Sequence, residues 1–210
     1  MLDLSNVTLV AVSSIKIGET LSALYNSMSG IKFAECKLIT HHENLTVQPG
    51  VKVEKCYHLN GINLYNRFVM YDLGRHVETD YCLLVQHDGF VLRPEKWSQE
   101  FLEYDYIGAP WPVSQDAYIT FDGERVRVGN GGFSLRSKSL LDAPNKHNIP
   151  FLNDRGFYNE DGNICVYNRK KFLELGMKFA PIDIAARFSQ ETQMIETEGI
   201  LPFGFHRTPK

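Results

Sequence analysis

Two short segments made largely of apolar residues constrain the fold most. They are residues 6–13 (NVTLVAVS) and 80–86 (DYCLLVQ). A strand that packs on one face alternates apolar and polar side chains, whereas a strand buried on both faces is apolar almost throughout. Both segments are far shorter than the about 20 residues that a membrane span requires. We therefore expect two central strands of a sheet that is covered on both sides.

Helical and strand-like patterns alternate around these two segments. Apolar residues recur at helical spacing in Glu19–Ser29, which Gly30 ends, and in Asn63–His76. Phe33–Thr40 and Val51–Cys56 have the pattern of further strands. Strands that alternate with helices pair in parallel, because each helix carries the chain back across the sheet. The pattern predicts an α/β fold in which crossover helices connect the parallel strands of a sheet.

The pattern beyond residue 87 is less regular. Its recognisable segments are a short strand at Phe90–Leu92, a polar excursion at Ser114–Arg125, a glycine-rich bend at 129–132 and a last helix near Glu160–Leu175. No linker-like composition divides the chain, so we expect one domain over residues 1–210.

Composition narrows the classes of function. The 210 residues include 22 Lys and Arg against 25 Asp and Glu, a formal net charge of −3 at pH 7. Nucleic-acid binders need clustered positive charge, so this balance argues against them. The 4 cysteines form no CxxC pair, which predicts free, mostly buried thiols rather than a zinc site. No basic segment typical of a secretory signal opens the sequence, and we expect a soluble cytoplasmic protein.

The first candidate site follows the second apolar strand, at 86–89 (QHDG). Parallel α/β sheets bind ligands beyond the carboxyl ends of their strands. Ser13 and Ser14 end the first apolar strand, and His87 and Asp88 follow the second. A carboxylate held there can share Mg²⁺ or Mn²⁺ with the phosphates of a ligand. Because Asp-Gly also favours tight turns, a purely structural turn is an equal alternative.

Three later features are also candidates for a ligand site. Glycines in 128–136 (VGNGGFSLR) allow close approach of a ligand, although such bends are more often structural. Glu160 and Asp161 stand at a predicted helix start, where the helix dipole favours acidic residues and where one of them could be a general base. His206 lies among aromatic residues and is either a packed side chain or a neutral nitrogen ligand.

In their order along the chain, these motifs resemble the GT-A class of nucleotide-sugar glycosyltransferases. The resemblance implies a single α/β domain with a GT-A (Rossmann-like) fold, in which helices flank a central mixed, mainly parallel sheet. Three stretches are similar to a family of short glycosyltransferase-like domains: 65–71 (YNRFVMY), 80–90 (DYCLLVQHDGF) with 104–112 (YDYIGAPWP), and 129–136. The segment 203–206 (FGFH) fits the same family. Over essentially its whole length, the chain is also similar to the N-terminal domain of a chlorella-virus glycosyltransferase.

The resemblance implies a role for each candidate residue. Asp88 would take the place of a metal-binding carboxylate of the Asp-x-Asp motif, and His206 would also reach the Mn²⁺ or Mg²⁺ ion. Asp161 matches the catalytic base of inverting members, and Glu160 matches an acceptor-binding partner. The donor-binding residues would be Ser13 and Ser14 in the nucleotide pocket, Arg67 at the diphosphate or the base, Gly131 and Gly132 along the sugar, and His87.

The implied reaction is transfer of a hexosyl unit from a nucleoside diphosphate sugar, with UDP-sugar favoured, to a glycan hydroxyl. Residues 1–92 would bind the nucleotide, and residues 93–210 the sugar and the acceptor. The implied partners are the donor and the glycan, with further fused domains if the chain is part of a longer one. A viral origin would place the protein in the host cytoplasm.

One position departs from the family pattern, and it leaves alternatives open. Gln86 stands where the first carboxylate of the Asp-x-Asp motif is expected. A single carboxylate holds a metal weakly unless His206 or donor phosphates complete the shell. The alternatives are a retaining transferase and a non-catalytic module that binds nucleotide sugars or glycans. A metal-dependent phosphohydrolase is disfavoured, because that chemistry uses clustered carboxylates.

Overall fold

Residues 1–113, 118–152 and 159–207 are described by the structure, a computed structural model. The strands are β1 (Leu2–Val12), β2 (Ile31–Thr40), β3 (Val51–Lys55), β4 (Tyr81–Val85), β5 (Gly89–Val91), β6 (Tyr106–Ile107), β7 (Phe133–Ser137), β8 (Ser189–Gln190) and β9 (Gly204–His206). The α-helices are α1 (Ile17–Met28), α2 (Ile62–Tyr71), α3 (Lys138–Lys146), α4 (Glu160–Gly162), α5 (Arg169–Glu174) and α6 (Ile182–Phe188).

The main sheet has six strands in the order β3-β2-β1-β4-β7-β6. The first four are parallel, and β7 pairs antiparallel with both β4 and β6. This confirms the predicted α/β fold with a mixed, Rossmann-like sheet flanked by helices. β2 pairs with one edge of β1, and β4 pairs with the opposite edge. That reversal of strand order creates a crevice at the carboxyl ends of β1 and β4, where ligands of such sheets bind.

The two apolar segments of the sequence lie side by side at the centre, as β1 and β4. Their side chains alternate between two cores: Leu9 and Ala11 pack on one face of the sheet, and Val10 and Val12 pack on the other. α1 contributes Leu24 to the first core, whereas α2 contributes side chains to the second. Both faces are therefore apolar, which explains why neither segment alternates with polar residues.

A second sheet, with the order β5-β9-β8, carries the end of the described chain back to the carboxyl end of β4. Gly89 of β5 pairs with His206 of β9. The Arg207 N–H donates to the carbonyl of Asp88 over 2.8 Å. A strand of three residues thus places His206 beside Asp88, 118 positions earlier in the sequence.

The structure corrects the prediction of a single last helix and adds a strand. The strand is β7, which directly follows the predicted glycine-rich bend and is buried at all five residues by pairing with β4. The predicted helix over 160–175 is divided into α4, a π-helical turn at Asn163–Tyr167, and α5. The Asn168 side chain donates to the Asn163 and Pro150 carbonyls at this break. α6 follows, so α5 is not the last helix.

The other predictions for this half are met in part. Residues 114–117 of the predicted excursion lie outside the described residues, and Ile119 forms a bridge with Arg125. The sequence pattern did not predict α3, because Pro144 within it weakens a helical pattern.

The four cysteines are free, and three of them are buried, as predicted. No helix within the described ranges is long and apolar enough to cross a membrane.

One stability prediction concerns a close approach of two backbone segments. A β-carbon at Gly108 would lie 1.5 Å from the Gly129 carbonyl oxygen. Because backbone cannot easily move aside, we expect Gly108→Ala to lower the free energy of unfolding by about 3 kcal/mol or more. Gly18→Ala is the control: its β-carbon would meet no atom within 4 Å, and we expect a gain of about 0.4–1 kcal/mol. Urea unfolding measures both, and a Gly108→Ala protein as stable as the wild type would contradict the packing.

Candidate functional site

Two adjoining clefts open at the carboxyl ends of β1 and β4. The β1 cleft, of about 230 Å³, is lined mainly by apolar groups and includes Ser13, Ser14 and His87. The Asp161 cleft, of about 320 Å³, is mainly polar and includes Gly131, Gly132, Glu160, Asp161 and His206. Ile62, Tyr65 and Gln86 line both clefts. A larger cleft of about 600 Å³, beside α6, includes none of the predicted site residues.

The glycine pair at 131–132 is required by protein side chains that pack directly against it. A β-carbon at Gly131 would lie 2.0 Å from Glu160 Oε1, and one at Gly132 would lie 2.1 Å from His206 Nε2. Both glycines line the Asp161 cleft, and their position along a sugar stays a prediction. The structure adds a reason that the sequence does not show: their missing side chains make room for a carboxylate and an imidazole of the site itself.

Glu160 forms a buried ion pair with Arg136, which lies on β7. Arg136 Nη2 lies 2.8 Å from Glu160 Oε1, and the two side chains are 0% and 4% exposed. Arg136 Nε also donates to Ser134 Oγ over 3.0 Å. Although burial would lower the pKa of Arg136, Tyr106 and Glu160 raise it, so the guanidinium stays charged. Glu160 thus faces a cation of the protein itself.

Asp161 combines partial burial with a negative neighbour. Its Oδ2 accepts a hydrogen bond from the Gly131 N–H over 2.9 Å, and its Oδ1 accepts one from the Gly162 N–H over 2.7 Å. Burial, followed by the charge of Glu160, raises the pKa of Asp161 to about 7, although both N–H groups act to lower it. A carboxyl with this pKa can accept a proton near neutral pH.

His206 lies between two carboxylates, Asp88 and Glu191. His206 Nε2 lies 3.4 Å from Asp88 Oδ1, and His206 Nδ1 lies 3.4 Å from Glu191 Oε1. The contact with His206 lowers the pKa of Asp88 to about 2. Burial would lower the pKa of His206, but Asp88 and Glu191 raise it to about 9. In this arrangement the imidazole is cationic, and a metal ion would have to displace its proton.

Asp88 and His206 fit an incomplete site for a divalent cation. Asp88 Oδ1 is buried and has no hydrogen bond of normal geometry among the described residues, so a cation would satisfy it. A carboxylate oxygen and an imidazole nitrogen are suitable ligands for Mn²⁺. Within the same residues, no group of three or more His, Cys, Asp or Glu side chains could hold a metal. A ligand's phosphates would have to supply further donors.

The predicted nucleotide-binding serines both line the β1 cleft, in different ways. Ser14 is buried, and its Oγ accepts a hydrogen bond from the Leu59 N–H over 2.9 Å and lies 3.0 Å from His41 Nδ1. This hydroxyl therefore ties together the loops that follow β1, β2 and β3. Ser13 is half-buried, and its hydroxyl donates to the Ile15 carbonyl beside it. Of the two, Ser13 is the more exposed.

Arg67 lies apart from the other predicted donor-binding residues. Its guanidinium is exposed on α2 and lies 5.1 Å from the centre of the Phe151 ring. It lines neither of the two clefts, whereas Tyr65 lines both. Successive residues of an α-helix are rotated by about 100°, so the face that presents Tyr65 cannot also present Arg67.

Several side chains of the site were not predicted as functional. Arg136 pairs with Glu160, and Glu191 pairs with His206. Trp111 and Tyr118, whose rings stack, line the Asp161 cleft. Arg136 lies in the segment 129–136 and Trp111 lies in 104–112. Both segments carry the family resemblance, which was the one signal that could have indicated these two residues. Glu191 lies in a polar stretch that carries no motif.

Comparison with known proteins places the chain in a family without assigning an activity. The family model described as "Protein of unknown function (DUF5672)" matches residues 50–206. The chain belongs to this family. The match begins before β3 and ends at His206, so it includes Asp88, Glu160 and Asp161 but not the serines after β1. No curated protein matches the chain.

The buried ion pair leads to a prediction on stability. Arg136→Met leaves the Glu160 carboxylate buried without its cation, so we expect the free energy of unfolding to fall by about 3–5 kcal/mol. The double variant Arg136→Met/Glu160→Met replaces both charges with apolar groups and should recover most of this loss. Urea unfolding of the wild type, both single variants and the double variant measures the coupling. Simple additivity of the two single losses would contradict it.

The raised pKa of Asp161 leads to a prediction on pH. The carboxyl titrates at about 7 in the folded protein and at about 3.9 in an unfolded chain. Between these values the folded state binds more protons, so the contribution of Asp161 to stability falls as pH rises from about 4 to 7 and is constant above that range. Asp161→Asn should remove this part of the slope. Unfolding free energies of both proteins at several pH values test it, and parallel profiles would contradict the raised pKa.

Proposed function

We propose that this protein is an inverting glycosyltransferase with a GT-A fold, which moves a hexosyl unit from a nucleoside diphosphate sugar to a glycan hydroxyl. The observation that carries the proposal is the placement of Asp161, whose pKa is raised to about 7. It lies in a polar cleft next to a second cleft at the carboxyl edge of a Rossmann-like sheet. A general base is most effective when its pKa is near the working pH.

The donor nucleotide would occupy the β1 cleft, with UDP as the favoured nucleotide. The apolar side chains of Ile15, Leu59 and Ile62 suit a planar base, and the Ser13 hydroxyl suits a polar group of the nucleoside. The diphosphate and sugar would then pass Gln86, which donates to the Tyr65 hydroxyl over 2.8 Å, and enter the Asp161 cleft. This orientation brings the anomeric carbon toward Asp161.

Asp88 and His206 would hold a Mn²⁺ or Mg²⁺ ion. When bound, the ion would neutralise charge on the diphosphate. The lowered pKa of Asp88 keeps its carboxylate ionised throughout the physiological range. Glu191 lies against the other nitrogen of His206 and orients the ring.

The acceptor would lie against the ring of Tyr118, which stacks on the buried Trp111 in the Asp161 cleft. The rings of Trp111 and Tyr118 stack in parallel, with centroids 3.9 Å apart. Trp111 packs on Gly129, where a β-carbon would lie 1.9 Å from the indole, so the pair has a rigid backing. Burial, followed by the charges of Asp161 and Glu191, raises the pKa of Tyr118, and all three residues line the same cleft. An apolar ring face with a polar edge suits a sugar ring beside the base.

In the proposed reaction, Asp161 accepts the proton of the acceptor hydroxyl as its oxygen attacks the anomeric carbon. The bond from that carbon to the diphosphate breaks on the opposite face, and the diphosphate leaves with the bonding electrons. This single displacement inverts the anomeric configuration. Glu160, held by Arg136, acts through its charge on Asp161, in place of the acceptor contact that the family resemblance implies.

Asp161→Asn tests the proposed base. We expect transfer to fall by about 10²–10⁴-fold, because the amide cannot accept the proton. Binding of the donor nucleotide in the β1 cleft should persist. UDP, GDP and dTDP release from the corresponding hexose donors, with Mn²⁺ and an acceptor panel, measures transfer, and ligand-induced thermal shifts measure binding.

Asp183→Asn, an exposed change on α6, is the matched control and should keep wild-type activity. Wild-type turnover in Asp161→Asn would rule out the assigned base. Proton NMR of the product's anomeric linkage separates inversion from retention.

A non-catalytic nucleotide-sugar or glycan-binding module is the second candidate. Gln86 occupies the position of a metal-binding carboxylate and instead bonds to Tyr65, and this observation favours it. Such a module would bind nucleotides in the thermal-shift assay but release none from any donor.

A further inference from the structure

Lys16 and His87 bridge the carboxyl ends of the two central strands. Lys16 follows β1, His87 follows β4, and Lys16 Nζ lies 2.9 Å from His87 Nε2. An ammonium group has donors only, so Nε2 accepts and the ring proton is on Nδ1. His87 Nδ1 lies 3.5 Å from Asp88 Oδ1. The ammonium is therefore linked through one imidazole to the carboxylate proposed for the metal.

The backbone holds Lys16 in an unusual conformation. Its φ of 49° and ψ of 43° are left-handed, which disfavours a residue with a β-carbon. The Lys16 carbonyl accepts hydrogen bonds from both the N–H and the hydroxyl of Thr20, each over 2.9 Å. Thr20 lines the β1 cleft. Backbone strain that is held in place by hydrogen bonds occurs often in ligand-binding loops.

Lys16 is also a cation whose charge is available to a ligand. Within the described ranges, no carboxylate lies at ion-pair distance from it, and its side chain is exposed. Arg207, which lines the Asp161 cleft, lies 3.4 Å from Glu191. Arg67 is directed onto Phe151. Lys16 does not line either cleft itself, but its neighbour Ile15 and its partner His87 both line the β1 cleft. Of these three cations, Lys16 alone combines this position with an uncompensated charge.

We propose that Lys16, oriented by His87, binds the diphosphate of the nucleotide and contributes to this binding in the absence of a metal ion. The proposal rests on the proposed function, since it assumes a nucleoside diphosphate in the β1 cleft. An ammonium bonded to phosphate oxygens forms charge-assisted hydrogen bonds. Because Gln86 stands where a second metal-binding carboxylate is expected, the site holds a metal weakly. The Lys16 contact supplies positive charge to the diphosphate without a metal.

Calorimetric titration in EDTA tests the proposal with UDP, GDP and dTDP and with the matching nucleosides as probes. For the preferred nucleotide, we expect Lys16→Gln to weaken diphosphate binding by about tenfold and to leave nucleoside binding unchanged. Lys16→Arg should restore most of the affinity. Lys32→Gln, an exposed change beside Asp3 near the amino end of the sheet, is the control and should bind like the wild type.

The outcomes separate this inference from the proposed function. If the wild type prefers a diphosphate to its nucleoside and Lys16→Gln keeps that preference in full, Lys16 does not bind the diphosphate, and the proposed function is unaffected. If the wild type binds no diphosphate better than its nucleoside, with Mn²⁺ or with EDTA, the proposed donor site is wrong, and the inference falls with it. An equal loss for diphosphate and nucleoside in Lys16→Gln would indicate a distorted cleft and would also overturn the inference.

Discussion

The buried ion pair between Arg136 and Glu160 connects the sheet to the candidate catalytic carboxylate. It joins β7 to α4 across the glycine at 131, where a side chain would collide with Glu160. Burying two charges is costly unless both are paired and hydrogen-bonded. Arg136 bonds to Glu160 through Nη2 and to Ser134 through Nε, whereas its buried Nη1 has no hydrogen-bond partner among the described residues. The same pair keeps a negative charge next to Asp161 and so contributes to its raised pKa. The stability of this region and the chemistry proposed for it therefore depend on one interaction.

Charge along the carboxyl edge of the sheet is organised locally and is not evident from the net charge of −3. Ionisable groups form a continuous line along this edge, from Lys16 through His87, Asp88 and His206 to Glu191. Each histidine lies between two charged groups, which orients its ring. Because the line passes from the β1 cleft to the Asp161 cleft, a ligand that spans both would meet positive and negative groups in a defined order.

The first half of the fold was predictable from sequence because its signals are local and long. The apolar segments became β1 and β4, and the helical spacing of Glu19–Ser29 became α1. The second half was less predictable because its elements are short and are stabilised by distant partners. β7 has five residues and depends on pairing with β4, and β9 has three residues and depends on β5. No window of so few residues contains a reliable pattern.

The sequence by itself determined the α/β class, the two central strands, and the chemistry-bearing residue types at their ends, because strand length and apolar patterning are local properties of the chain. It also indicated Asp88, Asp161 and His206 as candidates. Only the tertiary structure decided which groups meet: Arg136 faces Glu160, Glu191 faces His206, Lys16 faces His87, and Arg67 faces away. Pairing in the sheets and packing around the glycine pair bring together residues that are far apart in sequence. Their charges and pKa values arise from those contacts, which no local pattern encodes.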